Sequence, residues 1–267
     1  MPEIETNGIK MHYEVHGEGE PVICIMGITA SNEVWEPHVE EWKKHFQCIT
    51  PDNRGVGCTE KPEIDYTSEM MADDIAGLMD GAGIDSAHVV GCSMGSIVGQ
   101  QLALRHPAKV RKLVLMCPWA RCDRHAKSIF SHLEKIKAHL TADDFMEYIQ
   151  LLIFDKSSWD DEEFYQSMLE GREEALENDN PQPLHGLAGQ AAACVNHDVY
   201  EQLPTITNET LIIGGMNDIF TPRWMAEEIH SQLPHSELFL YKNAGHGFHF
   251  ENVEDFNRRV LEFLARG

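Results

Sequence analysis

The chain has 267 residues, 42% hydrophobic and 24% charged, which suits one large α/β domain or two small ones and is too apolar for a disordered chain. With 44 acidic against 21 basic side chains the formal charge is −23, a body that repels phosphate backbones and anionic lipid, so no nucleic acid and no membrane surface is expected as a partner. No apolar run reaches the roughly 18 to 20 residues of a membrane helix, and MPEIETNGIK lacks a basic start followed by an apolar stretch, so no signal peptide is expected.

The opening reads as two strands, Ile4–Thr6 and Ile9–Val15, turned at Asn7-Gly8, a dipeptide suited to a tight hairpin. PVICIM follows as a continuous apolar run of buried-strand type, FQCITPD as another strand, and Ser68–Ala82 as an amphipathic helix. AHVVGC is a short strand, Met94–Arg105 a helix and VRKLVLM a strand. From about Arg121 to His197 only helical periodicity is found. Alternation resumes with TLIIGG, then a helix over Pro222–Leu233, the strand SELFLY and a helix over Val253–Ala265. Strand–helix alternation with runs this apolar predicts an α/β fold: a mostly parallel, eight-stranded sheet with helices on both faces. It is divided into a first core segment 1–120, an all-helical cap 121–197 and a second core segment 198–267.

Seven cysteines, at 24, 48, 58, 92, 117, 122 and 194, are odd in number, scattered and without a C-x-x-C. A reducing, cytoplasmic compartment and no metal site built on cysteine are the expectation.

The sharpest local feature is Gly91-Cys92-Ser93-Met94-Gly95, set between a strand and a helix. A serine at such a turn is forced into a strained backbone conformation and lifted above the sheet edge at a helix N-terminus, where N–H groups favour developing negative charge. A hydroxyl needs a base, and the base an orienting acid. Of 15 histidines, His246 in Asn243–Gly247 follows the last strand, at the carboxyl edge that carries Ser93; His249 is the weaker choice, and a His246/His249 metal pair lacks further ligands. Asp218 follows the strand TLII at the same edge, with Asp123 as the other candidate acid. An oxyanion hole needs two backbone donors; the N–H groups of Met94 and of Ile28, in the loop opened by Gly27, are placed for it.

With these residues on the page the chain resembles the α/β-hydrolase superfamily over essentially its whole length, through Met26-Gly27, Asp52–Gly57, Gly91–Gly95, Asp218 and Gly245-His246. Within it, small bacterial esterases, enol-lactonases and aminoacrylate hydrolases are the most similar, and ring-cleavage C–C hydrolases share the core. The resemblance implies a serine hydrolase of ester or lactone type needing no cofactor; C–C bond or carbamate-type hydrolysis, or ligand binding with little turnover, are the rivals. Ser93 stands where epoxide- and halide-removing relatives carry Asp, which disfavours both chemistries, and Met26-Gly27 replaces the His-Gly of many relatives. Asp52 and Arg54 are expected to close a loop by pairing with each other. Between sheet edge and cap, a small-molecule pocket is expected to be lined by Gly27, Trp119, Phe130, Leu152, Phe154, Trp159, Met216, Ile219 and Phe248. Residues 157–197 carry nine acidic and one basic side chain, net −8, which predicts a rim that favours a neutral, partly apolar substrate over an anion. Apolar cap helices would also suit a homodimer.

Overall fold

The computed structural model describes residues 2–177 and 179–266. The chain order is β1 (Glu3–Thr6), β2 (Ile9–His16), β3 (Pro21–Ile25), α1 (Glu36–Trp42), β4 (Gln47–Pro51), α2 (Ser68–Gly81), β5 (Ala87–Cys92), α3 (Met94–Arg105) and β6 (Val110–Met116). Five helices follow: α4 (Arg124–Lys137), α5 (Ala142–Ile153), α6 (Lys156–Asp160), α7 (Glu162–Leu176) and α8 (Leu184–Asn196). The chain returns through β7 (Thr210–Gly215), α9 (Arg223–Gln232), β8 (Ser236–Tyr241), α10 (Phe248–Glu251) and α11 (Val253–Leu264). The eight strands form one sheet in the order β1-β2-β4-β3-β5-β6-β7-β8, antiparallel at β1–β2 and β2–β4 and parallel elsewhere.

Local chemistry explains these elements. Asn7 and Gly8 both adopt positive φ, 43° and 77°, the backbone that a two-residue hairpin turn requires. The central strands are buried on both faces, so they read as unbroken apolar runs rather than alternating ones. Alternate residues serve two cores. Ile23, Ile25, Leu113 and Leu115 face α2, α3 and α9, while Val22, Cys24, Val114 and Met116 face α1 and α11. In the cap, Asp123, Thr141, Asp155 and Asp161 each cap the N-terminus of a helix, accepting a backbone N–H. Asp123 thereby spends its carboxylate on Ala126 N–H, at 2.8 Å, as the first link of α4. A single bridge between Arg121 and Asp198 joins the two ends of the helical excursion.

One expected pairing is corrected. Arg54 does not pair with Asp52; its guanidinium donates twice, at 2.5 Å, to the buried carboxylate of Asp74 on α2. Asp52 instead accepts the backbone N–H groups of Asn32 and Cys58. Arg54 opens the turn that follows Asp52, and from there the arginine reaches across to the helix.

Candidate active site

Ser93 sits between β5 and α3 with φ 53° and ψ −114°, a conformation costing on the order of 1–3 kcal/mol for a residue with a Cβ. The strain is held by close backbone packing. A Cβ on Gly95 would lie 2.0 Å from the carbonyl oxygen of Ile25, and one on Gly91 would lie 2.2 Å from that of Gly95. The flanking positions therefore admit no side chain, and the turn cannot relax. Ser93 is 4% exposed, and its Oγ has no hydrogen-bond partner among the described residues. Such contacts are commonly long in free enzymes and tighten when substrate arrives.

Asp218 and His246 lie in the loops after β7 and β8, and both are buried. His246 Nδ1 is 2.8 Å from Asp218 Oδ2; a carboxylate only accepts, so Nδ1 carries the proton and Nε2 is left as the basic nitrogen. Asp218 Oδ1 accepts the N–H groups of Phe220 and Thr221, each at 2.8 Å, which fixes the carboxylate plane. Thr221 Oγ lies 2.9 Å from Asp218 Oδ2 and 3.0 Å from His246 Nδ1, with the Cys117 carbonyl at 3.2 Å. Cys117, at φ 47°, donates its thiol to the carbonyl of His246 at 3.0 Å, and burial raises its pKa well above the ordinary thiol value. The donor atoms of Cys117, Asp218 and His246 lie within 4.8 Å of one another, yet a shared ion would have to displace the Asp218–His246 hydrogen bond.

A Cβ on Gly27 would stand 3.3 Å from that of Ser93, which puts the loop after β3 directly beside the hydroxyl. Neither Ile28 N–H nor Met94 N–H has an acceptor among the described residues; Met94 opens α3, where no intrahelical carbonyl is available. The loop is held at three points. Asn53 Nδ2 donates to the Met26 carbonyl at 2.8 Å, the Met26 side chain is buried, and Thr29 N–H donates to Gln190 Oε1 on α8 at 3.1 Å. Gln190 is wholly buried and also donates to the Arg54 carbonyl, so a cap helix supports this loop.

His249 faces away from this group. Its Nδ1 is 2.9 Å from His38 Nε2, His38 Nδ1 is 2.8 Å from Asn257 Oδ1, and Cys92 Sγ is 3.8 Å from His249 Nε2. One donor order satisfies the whole chain with neutral groups: Cys92 to His249, His249 to His38, His38 to Asn257. Burial agrees, holding His38 down at about 4, His249 well below its usual range, and the Cys92 thiol up at about 12. A surface groove of 510 Å³ lies between α1 and α11, bordered by Asn257 at the end of this chain, and none of the candidate residues lines it.

Of the expected lining residues, the structure groups some and separates others. Trp119 and Phe130 are fully buried, and a run of tilted rings leads from Trp119 to Phe130, to Phe220 and to His246, with centroid steps of 5.2, 5.1 and 5.0 Å. Leu152 packs on the same cluster, and Phe154 lies against Gly247 beside His246. Met216 is half-buried, and Trp159 is half-buried on α6 against Tyr165. Two lie apart from this group. Phe248 stacks on Tyr241 and Phe256 in the core under α1 and α11, and Ile219 is 56% exposed because the Asp218 turn directs Phe220 inward instead. Phe220, Thr221, Gln190 and Glu251 were invisible to periodicity; Thr221-Pro222 showed only as a helix start.

Comparison with known proteins agrees with the fold. A family model described as the alpha/beta hydrolase fold matches residues 20–253. RutD of Caulobacter sp. (strain K31), which carries the provisional name carbamate hydrolase, is 31% identical over 262 residues and 96% of each chain. The structure of the enol-lactonase from Burkholderia xenovorans LB400 has the same fold, with a TM-score of 0.88 at 23% identity over 99% of this chain and 100% of that one. The meta-cleavage product hydrolase CumD from Pseudomonas fluorescens IP01 aligns with a TM-score of 0.79 at 26% identity, over 99% of this chain and 97% of its own.

Proposed function

The chain belongs to the α/β-hydrolase family, and from that premise we propose that it is a serine hydrolase cleaving a small ester or lactone through an acyl-enzyme on Ser93. The observation that carries this reading is the Ser93 hydroxyl itself, buried, without a partner among the described residues and held at a strained φ at the start of α3. His246 takes the hydroxyl proton on Nε2 as Ser93 Oγ attacks the carbonyl carbon. Asp218 holds the imidazole and stabilises its charged form. Ile28 N–H and Met94 N–H receive the oxyanion, each contributing about 2.7–4 kcal/mol to the transition state. His246 returns the proton to the leaving oxygen, then draws one from water as that water attacks the acyl-enzyme, and passes it to Ser93 Oγ as the Oγ–carbon bond breaks and the acid leaves. These steps require only the side chains named, two backbone N–H groups and water.

Trp119, Phe130 and Phe220 supply the apolar wall, and the buried indole N–H of Trp119, without an acceptor among the described residues, is an available donor for a polar group of the substrate. The acidic side chains of α7 are exposed, and its single Arg172 is bonded to Glu147, which supports preference for a neutral substrate. Seven unpaired cysteines suit a reducing cytoplasm.

A second reading, carbamate hydrolysis by the same groups, is favoured by the 31% identity to RutD. A panel of p-nitrophenyl esters, lactones and carbamates, assayed with the wild type and Ser93→Ala, tests both. Ester or lactone turnover that disappears in the variant supports the first reading. Turnover confined to carbamates supports the second, and no turnover or acyl-enzyme with any member removes both.

A further inference from the structure

Glu251, the last residue of α10, is a half-buried carboxylate bonded to both the His246 loop and the start of α6. Its Oε2 accepts Gly245 N–H at 2.8 Å, one residue before His246. Its Oε1 accepts Asp155 N–H at 2.7 Å and the Ser158 hydroxyl at 2.6 Å, both from the start of α6. The same stretch is tied twice more. Gly247 N–H donates to the Ile153 carbonyl at 2.7 Å, and Asn217 Nδ2, beside Asp218, donates to Asp155 Oδ2 at 2.8 Å. A Cβ on Gly245 would lie 2.5 Å from the Ile153 carbonyl oxygen, so loop and cap backbones touch.

We infer that Glu251 is a positioning residue for His246: by holding Gly245 and the 155–158 turn on one carboxylate, it makes the seating of the cap and the placement of the imidazole a single event. The inference rests on His246 acting as the base. A carboxylate suits the task because three donors converge on two acceptor oxygens. A glutamine could serve the two donors at Oε1 but would turn an N–H toward Gly245 N–H. Displacing a reacting group by about 1 Å costs on the order of a hundredfold in rate.

The test compares Glu251→Gln and Glu251→Asp with the wild type for kcat, KM and the low-field proton NMR signal of His246 Nδ1–H, identified by its loss in His246→Ala. For Glu251→Gln the expected result is a kcat lower by about ten- to a hundredfold with KM changed less than about threefold, and a shifted or broadened Nδ1–H signal. Glu251→Asp should recover part of both. An unmoved signal with unchanged kcat overturns the inference, as does a rise in KM alone, which would make Glu251 only a support for the cap. Should Glu251→Gln fail to fold, Ser158→Ala removes one donor and carries the same comparison; an unmoved kcat and signal there count against the clamp. If the wild type turns over no substrate, the serine-hydrolase reading fails while the NMR signal still reports on Glu251.

Discussion

Acidification of the folded protein meets a buried histidine that nothing in the proposed chemistry uses. His197 follows α8, is 2% exposed, and shares one hydrogen bond between Nδ1 and Ser68 Oγ at 2.9 Å, while its Nε2 has no partner among the described residues. Burial holds its pKa down at about 3 against 6.5 for the free side chain. As pH falls below 6.5 the unfolded chain takes up a proton that the folded chain refuses, so folding stability falls until the pH approaches the folded value. From pH 7 to pH 5 this one group removes about 2 kcal/mol, from 1.36 kcal/mol per pH unit below 6.5. His197→Asn keeps a donor and acceptor near the Nδ1 position and has nothing to titrate. Urea unfolding at both pH values should therefore show a stability loss smaller in the variant by about 2 kcal/mol. His38 and His249 add losses of the same sign in both proteins, and the raised carboxyls of Asp52, Asp74 and Glu251 act in the opposite sense in both. Equal losses in variant and wild type would refute a neutral, desolvated His197.

Three further outcomes are expected. Gly95→Ala should abolish turnover and lower Tm, because its Cβ would meet the Ile25 backbone 2.0 Å away; a variant with native kcat and Tm would show that the elbow relaxes. Thr221→Val keeps the shape and removes the hydroxyl that contacts both Asp218 and His246. At about 1.5–3 kcal/mol for a hydrogen bond to a charged group, kcat/KM should fall roughly ten- to a hundredfold, measured on any ester the wild type accepts, and an unchanged value would place Thr221 outside the pair's support. Asp74→Asn leaves the buried Arg54 guanidinium without its counter-charge, and differential scanning calorimetry or urea titration should report a loss of about 3–5 kcal/mol; a loss under 1 kcal/mol would mean the pair behaves as a surface one.

Much of the architecture could be read from local pattern. The helix over Met94–Arg105 and the strands Val110–Met116, Thr210–Gly215 and Ser236–Tyr241 have the bounds that their apolar runs and flanking glycines predict, because buried parallel strands carry an unbroken signal. Ser93, Asp218 and His246 were proposed the same way, each by its place after a strand, and two of them, Asp218 and His246, lie 2.8 Å apart. What eluded the sequence depends on partners far away in the chain. Thr29 and Gln190, His38 and His249, and Glu251 and Asp155 are joined across gaps that no period bridges. Arg54 was assigned to its near neighbour Asp52, when a helix 20 residues on offered a better-placed carboxylate. Ile219 and Phe248 were chosen for adjacency to Asp218 and His246, but adjacency does not say which way a side chain turns. The carboxylate bonds to Phe220 and Thr221 N–H decide it at the first, and the Tyr241–Phe256 cluster at the second.

The central claim is that Ser93 is the nucleophile. Incubating the protein with an alkyl fluorophosphonate, then measuring intact mass and mapping the modified peptide, tests it without knowledge of the natural substrate. The account predicts one adduct per chain, on the peptide containing Ser93, that fails to form in Ser93→Ala and forms far more slowly in His246→Ala. An adduct on another residue, or a Ser93→Ala protein labelled as fast as the wild type, would contradict it.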